Sequence, residues 1–241
     1  YEIADSDWSS DVCSSDLAFC ATDSGIPPDA EHAKATLEQS PRHGEWVDVK
    51  LGDGPAIATW VVYPEKKQKA GAVIVIHEIF GLTDWVRGVA DQLAKDGFIA
   101  LAPDLLSGMG KDGGGTASLG EDARKVIRTL TTEAIVARLD AVHDYAAGLK
   151  SANGNVGTVG FCWGGAASFN SAAAQPKLDA AVVYYGTSPE DPAAYAKIAA
   201  PLLDIALTLQ DSGDPVEITY RYSDCIGPVS CDSTCHTAGL N

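Results

Sequence analysis

The alternation of buried strands with helices is the feature that most constrains how this chain can fold. The run Gly71–Ile76 is continuously apolar and β-branched, which is typical of a strand covered on both faces. The stretch Asp84–Asp96 has helical periodicity, and Thr83 can cap it while Gly97 can end it. The remaining predicted strands are Trp46–Leu51, Ile57–Tyr63, Phe98–Ala102, Asn155–Phe161, Leu178–Tyr185 and one from Leu202. The remaining predicted helices are Glu121–Lys150 (broken near Thr131 and Thr132), Trp163–Ala174 and Pro192–Ala199. The alternation predicts an α/β fold in three layers, with a mostly parallel sheet between helices.

The negative charge is concentrated outside this alternating region. The 241 residues include 33 acidic and 17 basic side chains, for a net charge of −16. Residues 1–40 carry nine acidic side chains and one basic, and residues 204–241 carry six and one. We therefore divide the chain into a non-core leader at 1–40, a core at 41–203 and a C-terminal segment at 204–241. Such acidity argues against nucleic acid or an anionic membrane as a partner, and no apolar run is long enough to span a membrane.

Both flanks lack recognisable functional motifs. Residues 1–17 have neither a helical nor an alternating pattern and resemble a translated sequencing adapter, so we expect them to be artefactual. An acidic disordered leader is the alternative. The C-terminal segment contains Cys225, Cys231, Cys235 and His236, which are residue types that bind zinc. No Cys-x-x-Cys pair occurs there, so we favour unpaired thiols and expect no metal.

The strongest catalytic motif is Gly160-Phe161-Cys162-Trp163-Gly164-Gly165, between a predicted strand and a predicted helix. A sharp strand-to-helix turn exposes a nucleophile, and small residues two positions away avoid a clash. The helix N-terminus favours a thiolate at Cys162, and the Trp163 amide can donate to an oxyanion. A buried structural cysteine is the alternative. The strand–turn–helix context favours the nucleophile.

A polar pair, His77-Glu78, follows the central predicted strand, in the segment His77-Glu78-Ile79-Phe80-Gly81. Glu78 can hold or accept the proton of a nearby thiol, although a solvated loop carboxylate is the alternative. His77 is either a histidine whose hydrogen bonds are satisfied within the protein or, less favoured, a substrate contact. His143 is predicted on a helix surface.

The glycine-rich stretch Gly108–Gly120 contains a dinucleotide-type Gly-x-Gly-x-x-Gly pattern at Gly108–Gly113. Several residues separate it from the preceding strand, and no helix opens on its last glycine. The reason for the motif, a pyrophosphate held at a helix N-terminus, is therefore absent. We expect no cofactor and interpret the stretch as a mobile loop near the active site that can act as a lid.

With these motifs in place, the core resembles the dienelactone hydrolase family, a bacterial-type, cysteine-nucleophile branch of the α/β-hydrolases. The likeness runs from about Gly44 to Leu203. It rests on His77–Gly81, Ala102–Leu105, Gly160–Gly165, Tyr185–Gly186 and Ala200–Leu203, in this order. The resemblance implies an α/β-hydrolase fold in which Cys162 attacks an ester or lactone carbonyl and forms an acyl-enzyme. It also implies that Glu78 controls the thiol proton and that the amides of Ile79 and Trp163 form the oxyanion hole.

The resemblance weakens after Leu203. The family places an aspartate in a Gly-x-x-Asp turn after this strand and a histidine in a later Gly-His-Gly-Phe context. Asp211 is nearest to the first position, ahead of Asp214, and His236 is the one later histidine, in a context that does not match. The arginine that holds a substrate carboxylate in the family is missing near Gly108. We therefore expect the C-terminal part to be incomplete or aberrant, without its closing strand, final helix and catalytic histidine.

The leading hypothesis is a carboxymethylenebutenolidase-like hydrolase, a carboxylesterase for a small ester or lactone. The alternative is a catalytically disabled hydrolase-like fragment that keeps only a ligand pocket. A nucleotide-dependent oxidoreductase would rest on the rejected glycine motif alone. We expect a monomer with a small-molecule substrate, and leave open whether the compartment is cytoplasmic, periplasmic or extracellular.

Overall fold

The structure is a computed structural model that describes residues 27–188, 191–208, 217–223 and 235–239, with side chains as far as residue 205. Predictions about residues 1–17 and Asp211 therefore lie outside the described residues. In the part that is described, no helix combines the length and apolar character needed to span a membrane.

The described residues form one sheet of nine strands in the order β1-β2-β4-β3-β5-β6-β7-β8-β9. The strands are β1 Gly44–Val49, β2 Ile57–Val62, β3 Ala70–Ile76, β4 Ile99–Pro103, β5 Ala152–Phe161, β6 Ala180–Tyr184, β7 Leu202–Thr208, β8 Glu217–Ser223 and β9 Cys235–Gly239. The five central strands are parallel to one another; in sheet order they are β4, β3, β5, β6 and β7. Antiparallel pairs extend the sheet at both edges. The predicted α/β class with its mostly parallel sheet is confirmed.

Helices cover both faces of the sheet. They are α1 Ala33–Gln39, α2 Asp84–Lys95, α3 Thr116–Leu119, α4 Ala123–Val126, α5 Thr132–Gly148 and α6 Trp163–Ala174. The alternation of side chains in β3 shows how the faces differ: Ile74 and Ile76 pack in the cluster formed with α5, while Val75 packs in the cluster formed with α2. A continuously apolar strand is therefore buried on both faces, as the sequence predicts.

The predicted helix boundaries have identifiable causes. The Thr83 side chain accepts a hydrogen bond from the Val86 amide at the start of α2, and Gly97 follows the helix with φ +97°. The Thr131 side chain accepts from the Ala134 amide and begins α5, so the predicted break at this point is confirmed.

One sequence expectation differs from the structure, and a second region has more local structure than its sequence pattern indicated. His143 is not on the helix surface: it is 5% exposed on the buried side of α5, and its Nε2 has no hydrogen-bond partner. The glycine-rich stretch, predicted as a mobile loop, contains a 3₁₀ turn at Lys111–Gly113 and the short helix α3. Both Asp104 carboxylate oxygens accept hydrogen bonds from Thr116 within it, at 2.7 Å.

The sheet continues beyond β7 in the C-terminal segment. The predicted strand beginning at Leu202 and the β-like piece at Glu217–Tyr222 are β7 and β8, and they pair antiparallel. His236 lies in β9, opposite Tyr220 of β8. The chain after β7 therefore returns along the sheet edge as antiparallel strands.

Candidate active site

Four strands of the parallel region end at the same edge of the sheet. Ile76 of β3 is in register with Gly160 of β5, and Phe161 of β5 is in register with Tyr184 of β6. The turns that follow β3, β5 and β6 therefore lie side by side, with the end of β4 next to β3. Ligands bind at this edge in open α/β sheets. The register brings together three side chains, those of Glu78, Cys162 and Tyr185.

Cys162 occupies a strained turn between β5 and α6. Its backbone has φ +55° and ψ −116°, a conformation that L-residues rarely adopt. The Cys162 amide donates to the Tyr184 carbonyl at 3.0 Å, and its carbonyl accepts from the Ala166 amide at 3.2 Å. These bonds hold a conformation that costs on the order of 1–3 kcal/mol. The residue is half-buried and lies at the end of the strand.

Close backbone contacts explain the glycines around Cys162. A Cβ at Gly160 would lie 1.9 Å from the Gly164 carbonyl oxygen, and a Cβ at Gly164 would lie 2.4 Å from the carbonyl oxygens of Ile76 and His77. A Cβ at Gly165 would lie 2.7 Å from the Tyr184 carbonyl oxygen. Backbone atoms cannot move aside as a flexible side chain can. The predicted steric reason for the motif is thus visible, and it extends to the turn after β3.

Glu78 and Tyr185 form a hydrogen-bonded pair beside the cysteine. The Tyr185 hydroxyl donates to the Glu78 carboxylate, which lowers the pKa of Glu78, but partial burial is the larger effect and leaves that pKa raised. Burial, and then the negative charges that Glu78 and Cys162 can carry, raise the pKa of Tyr185 to about 12. Both groups therefore lie close enough to the Tyr185 hydroxyl to act on it electrostatically.

Sequence reasoning assigned no role to Tyr185. The available signal was its place directly after a buried strand, at the edge where ligands bind, and before Gly186. Tyr185 also has φ +44°, and its amide donates to the Ile205 carbonyl at 2.7 Å. Of the three non-glycine residues with positive φ in the described chain, two are Cys162 and Tyr185, at the ends of neighbouring strands.

His77 is fully buried, and its hydrogen bonds are satisfied by the protein. Its Nδ1 donates to the Glu78 carbonyl at 2.8 Å, and its Nε2 accepts from the Leu105 amide at 3.2 Å. Burial lowers the pKa of His77, in agreement with a neutral ring that carries its proton on Nδ1. The ring stacks on Trp163, with centroids 5.6 Å apart. His77 therefore supports the turn after β3, which is the first of the two interpretations from sequence.

The other histidines lie elsewhere. His32 pairs with Asp29, His43 stacks on Tyr63, and His143 lies in α5 next to Asp144. Within the described side chains, no histidine hydrogen-bonds to Cys162. His236 belongs to β9, four strands away from β5 in the sheet, a separation of about 19 Å at the usual strand spacing. The structure does not bring His236 to the cysteine.

The two candidate oxyanion residues support a small apolar cluster over the site. Trp163 is the first residue of α6, so its amide has no acceptor within the helix. Ile79 and Trp163 both pack against Leu106, Ala123 and Ile127, which belong to the segment between β4 and α5. That segment therefore covers the turns that carry Glu78 and Cys162.

A cavity of about 510 Å³ adjoins the turn after β3. Its lining consists of Phe80, Gly120, Glu121, Ala123 and Arg124. The Arg124 guanidinium lies 4.4 Å from the centre of the Phe80 ring, a cation–π contact. The cavity offers an aromatic wall and one charge of each sign. Within the described residues, no cluster of three metal-ligating side chains exists.

Comparison with known proteins is consistent with this geometry. The family model described as the dienelactone hydrolase family matches residues 57–213, ten residues beyond the last motif recognised from sequence. Carboxymethylenebutenolidase from Pseudomonas putida is 34% identical over 152 residues, which cover 61% of this chain and 62% of that protein. The protein of that name from Pseudomonas knackmussii matches to the same extent. The chain spans 42–62% of the length of the first curated relatives that it matches.

Solved structures share the fold. A dienelactone hydrolase-like promiscuous phosphotriesterase from metagenomic libraries is 26% identical with a TM-score of 0.55, and the match covers 67% of this chain and 66% of that one. Dienelactone hydrolase from Anabaena variabilis is 24% identical with a TM-score of 0.54, covering 67% and 71%. The second likeness shows the fold alone.

Proposed function

Since the chain belongs to the dienelactone hydrolase family, we propose that it hydrolyses a small ester or lactone through the Cys162 thiolate and an acyl-enzyme. The observation that carries this proposal is the strained Cys162 turn beside the hydrogen-bonded pair of Tyr185 and half-buried Glu78. A nucleophile and a carboxylate of raised pKa at the carboxyl edge of a parallel sheet favour acyl transfer. Relatives named carboxymethylenebutenolidase support a lactone as the substrate class. We assign this chemistry to the core at residues 41–203.

Acylation begins when Glu78 takes the proton of the Cys162 thiol. The sulfur then bonds to the substrate carbonyl carbon, and the carbonyl electron pair moves to oxygen. We assign the amides of Ile79 and Trp163 as donors to this oxyanion, since backbone donors at a turn and a helix start suit that charge. When the carbonyl re-forms, the bond to the leaving oxygen breaks. Protonated Glu78 returns its proton to that oxygen, which in a lactone stays attached to the acyl group.

The raised pKa of Glu78 suits this exchange of a proton. Burial disfavours its charged form, which makes the carboxylate a stronger base toward the thiol. The Tyr185 hydroxyl, with a pKa raised to about 12, stays protonated at neutral pH and continues to donate to Glu78. Tyr185 therefore orients the carboxylate without competing for its proton.

Hydrolysis of the acyl-enzyme needs a base for water. The sequence offered Asp211 and His236 only as the nearest candidates for the rest of a triad, and Asp211 lies outside the described residues while His236 belongs to β9, four strands from β5. We assign Glu78 to the water step, because its carboxylate is again free of the thiol proton after acylation. A disabled fragment is the second candidate, and it is favoured because the four histidines with described side chains contact groups other than Cys162.

Burst kinetics with p-nitrophenyl acetate test the proposal. We expect a burst of one nitrophenolate per chain, a thioester on Cys162 by mass spectrometry, and continued turnover. Cys162→Ala removes both phases, and Cys162→Ser serves as a control for folding with a hydroxyl of similar size. A folded wild-type chain without a burst would contradict the function, while a burst without turnover would favour the disabled fragment.

A further inference from the structure

One side-chain hydroxyl links the turn after β3 to the segment that covers it. That hydroxyl belongs to Thr116, the first residue of α3, which is neither a motif residue nor a neighbour of Cys162 in sequence. Its Oγ1 accepts a hydrogen bond from the Leu82 amide at 3.0 Å and donates its proton to Asp104 Oδ1 at 2.7 Å. The amide can only donate and the carboxylate oxygen accepts, so the direction of both bonds is fixed.

The turn that includes Glu78 and Ile79 is supported at three points. Buried His77 supports its start through the Glu78 carbonyl and the Leu105 amide. The Gly81 amide donates to the Glu78 carbonyl at 3.2 Å and closes the turn itself. The Leu82 amide, at its end, reaches Thr116. The hydrogen bonds of His77 and of Thr116 both connect the turn to the end of β4, where Asp104 and Leu105 are consecutive.

The backbone on both sides is shaped to allow this contact. Gly81 has φ +78°, and a Cβ there would lie 2.2 Å from Thr116 Oγ1. A Cβ at Gly115 would lie 2.2 Å from Asp104 Oδ2, the oxygen that accepts the Thr116 amide at 2.7 Å. The two glycines therefore let the threonine approach the turn and the aspartate closely. Asp104 is 7% exposed, so its bonds form largely away from water.

We propose that Thr116 is a positioning residue that fixes the turn carrying Glu78 and the Ile79 amide. It touches neither substrate nor the reacting atoms, and it acts through the Leu82 amide. The inference rests on the proposed function for its kinetic consequence, while its structural consequence does not depend on any activity. Because a displacement of about 1 Å at a catalytic group can cost about 100-fold in rate, a single hydrogen bond here has a measurable effect.

Three variants test this proposal. Thr116→Val keeps the shape and removes the hydroxyl, Thr116→Ser keeps the hydroxyl, and Thr129→Val removes an exposed hydroxyl that bonds to the Val126 carbonyl. The first readout is hydrogen–deuterium exchange of the peptide containing residues 78–83. We expect Leu82 to exchange at least about tenfold faster in Thr116→Val, and at the wild-type rate in the other two. Unchanged exchange in folded Thr116→Val would overturn the proposal, whether or not the chain is an enzyme.

The second readout separates oxyanion support from thiol reactivity. Acylation by p-nitrophenyl acetate is compared with alkylation of Cys162 by iodoacetamide, which forms no oxyanion. For Thr116→Val we expect the acylation rate to fall about 10–100-fold with little change in KM, and by a larger factor than alkylation. Thr116→Ser should restore acylation to within about twofold. Equal losses in the serine and valine variants would show a merely structural role and contradict the proposal, whereas a wild-type chain that never acylates would contradict the proposed function instead.

Discussion

The turn after β5 and the chain after β7 place their candidate catalytic residues, Cys162 and His236, in different ways. At the first, a strained cysteine is held between backbone atoms of two neighbouring strands. At the second, the chain forms antiparallel strands, and β9 carries His236 to the outer edge. The comparison indicates that the groups for acylation depend on short local turns, whereas a histidine base would depend on where a distant segment returns.

The largest effect is expected from Gly164→Ala, which adds a side-chain atom where the turn after β5 packs closely against β3. The new Cβ would lie 2.4 Å from the carbonyl oxygens of Ile76 and His77, so β3 and α6 must separate. We expect a loss of about 1–3 kcal/mol in the free energy of unfolding and loss of acylation. Urea unfolding and burst amplitude measure the two effects.

Gly148→Ala is the matched control, because nothing lies within 4 Å of its new Cβ at the end of α5. It should stabilise the chain by about 0.5–1 kcal/mol, since alanine is the better helix former. If Gly164→Ala were as stable and as active as the wild type, the close backbone contacts would not define the turn.

Glu78→Gln is expected to lower the acylation rate on the order of 10²–10⁴-fold, because it removes the base while it keeps an acceptor for Tyr185. For the wild type, acylation should fall as the pH drops through the raised pKa of Glu78. The stability of the fold depends on pH in the opposite direction to the acylation rate. A carboxyl whose pKa is raised on folding stabilises the protein at low pH, and this contribution is lost as the pH rises through the folded pKa.

Thermal unfolding at two pH values tests the predicted pH dependence of stability. Glu78→Gln should raise the Tm at pH 7 and leave it nearly unchanged at pH 4, whereas the exposed Glu65→Gln should change neither Tm nor acylation. A fall in Tm at pH 7 would contradict the burial of the Glu78 charge as the cause of its raised pKa.

Tyr185→Phe is expected to have a smaller effect, about a tenfold loss of acylation at neutral pH. The lost hydrogen bond normally lowers the pKa of Glu78, so the acid limb of the pH profile should move to higher pH. Stopped-flow acylation between pH 4 and 8 measures the shift. Tyr195→Phe, in the 3₁₀ turn at Pro192–Lys197, is the control and should leave the profile unchanged. A shift to lower pH would mean that Tyr185 does not donate to Glu78.

The features that could be predicted from the sequence are those that short-range patterns encode, namely helix boundaries and the turn at Cys162. Thr83 marked a helix start, Thr131 marked a break in a helical region, and the glycines around Cys162 marked a turn whose steric reason is local. Tyr185 was missed because its role depends on the register of β5 with β6, which no local pattern encodes. His143 was wrongly placed on the surface for a similar reason: a polar residue in a helix is expected to face water, but packing of α5 on the sheet decided its burial. The Thr116 contacts join segments 12 and 34 residues apart and leave no periodic signal.

The smallest effect is expected from His236→Asn. This variant tests whether the C-terminal strands contribute a catalytic group. Four strand spacings separate β9 from β5, about 19 Å, and an imidazole ring cannot span that distance to the Cys162 thioester. We therefore expect acylation and turnover to stay within about twofold of the wild type, since general base catalysis needs hydrogen-bond reach or one bridging water. His43→Asn, an exposed histidine stacked on Tyr63, provides the matched control. A loss of turnover of tenfold or more with acylation intact would show that His236 reaches the acyl-enzyme, and the assignment of the water step to Glu78 would fail. If neither step changes, His236 is not the base for either step, and the assignment of both steps to Glu78 stands.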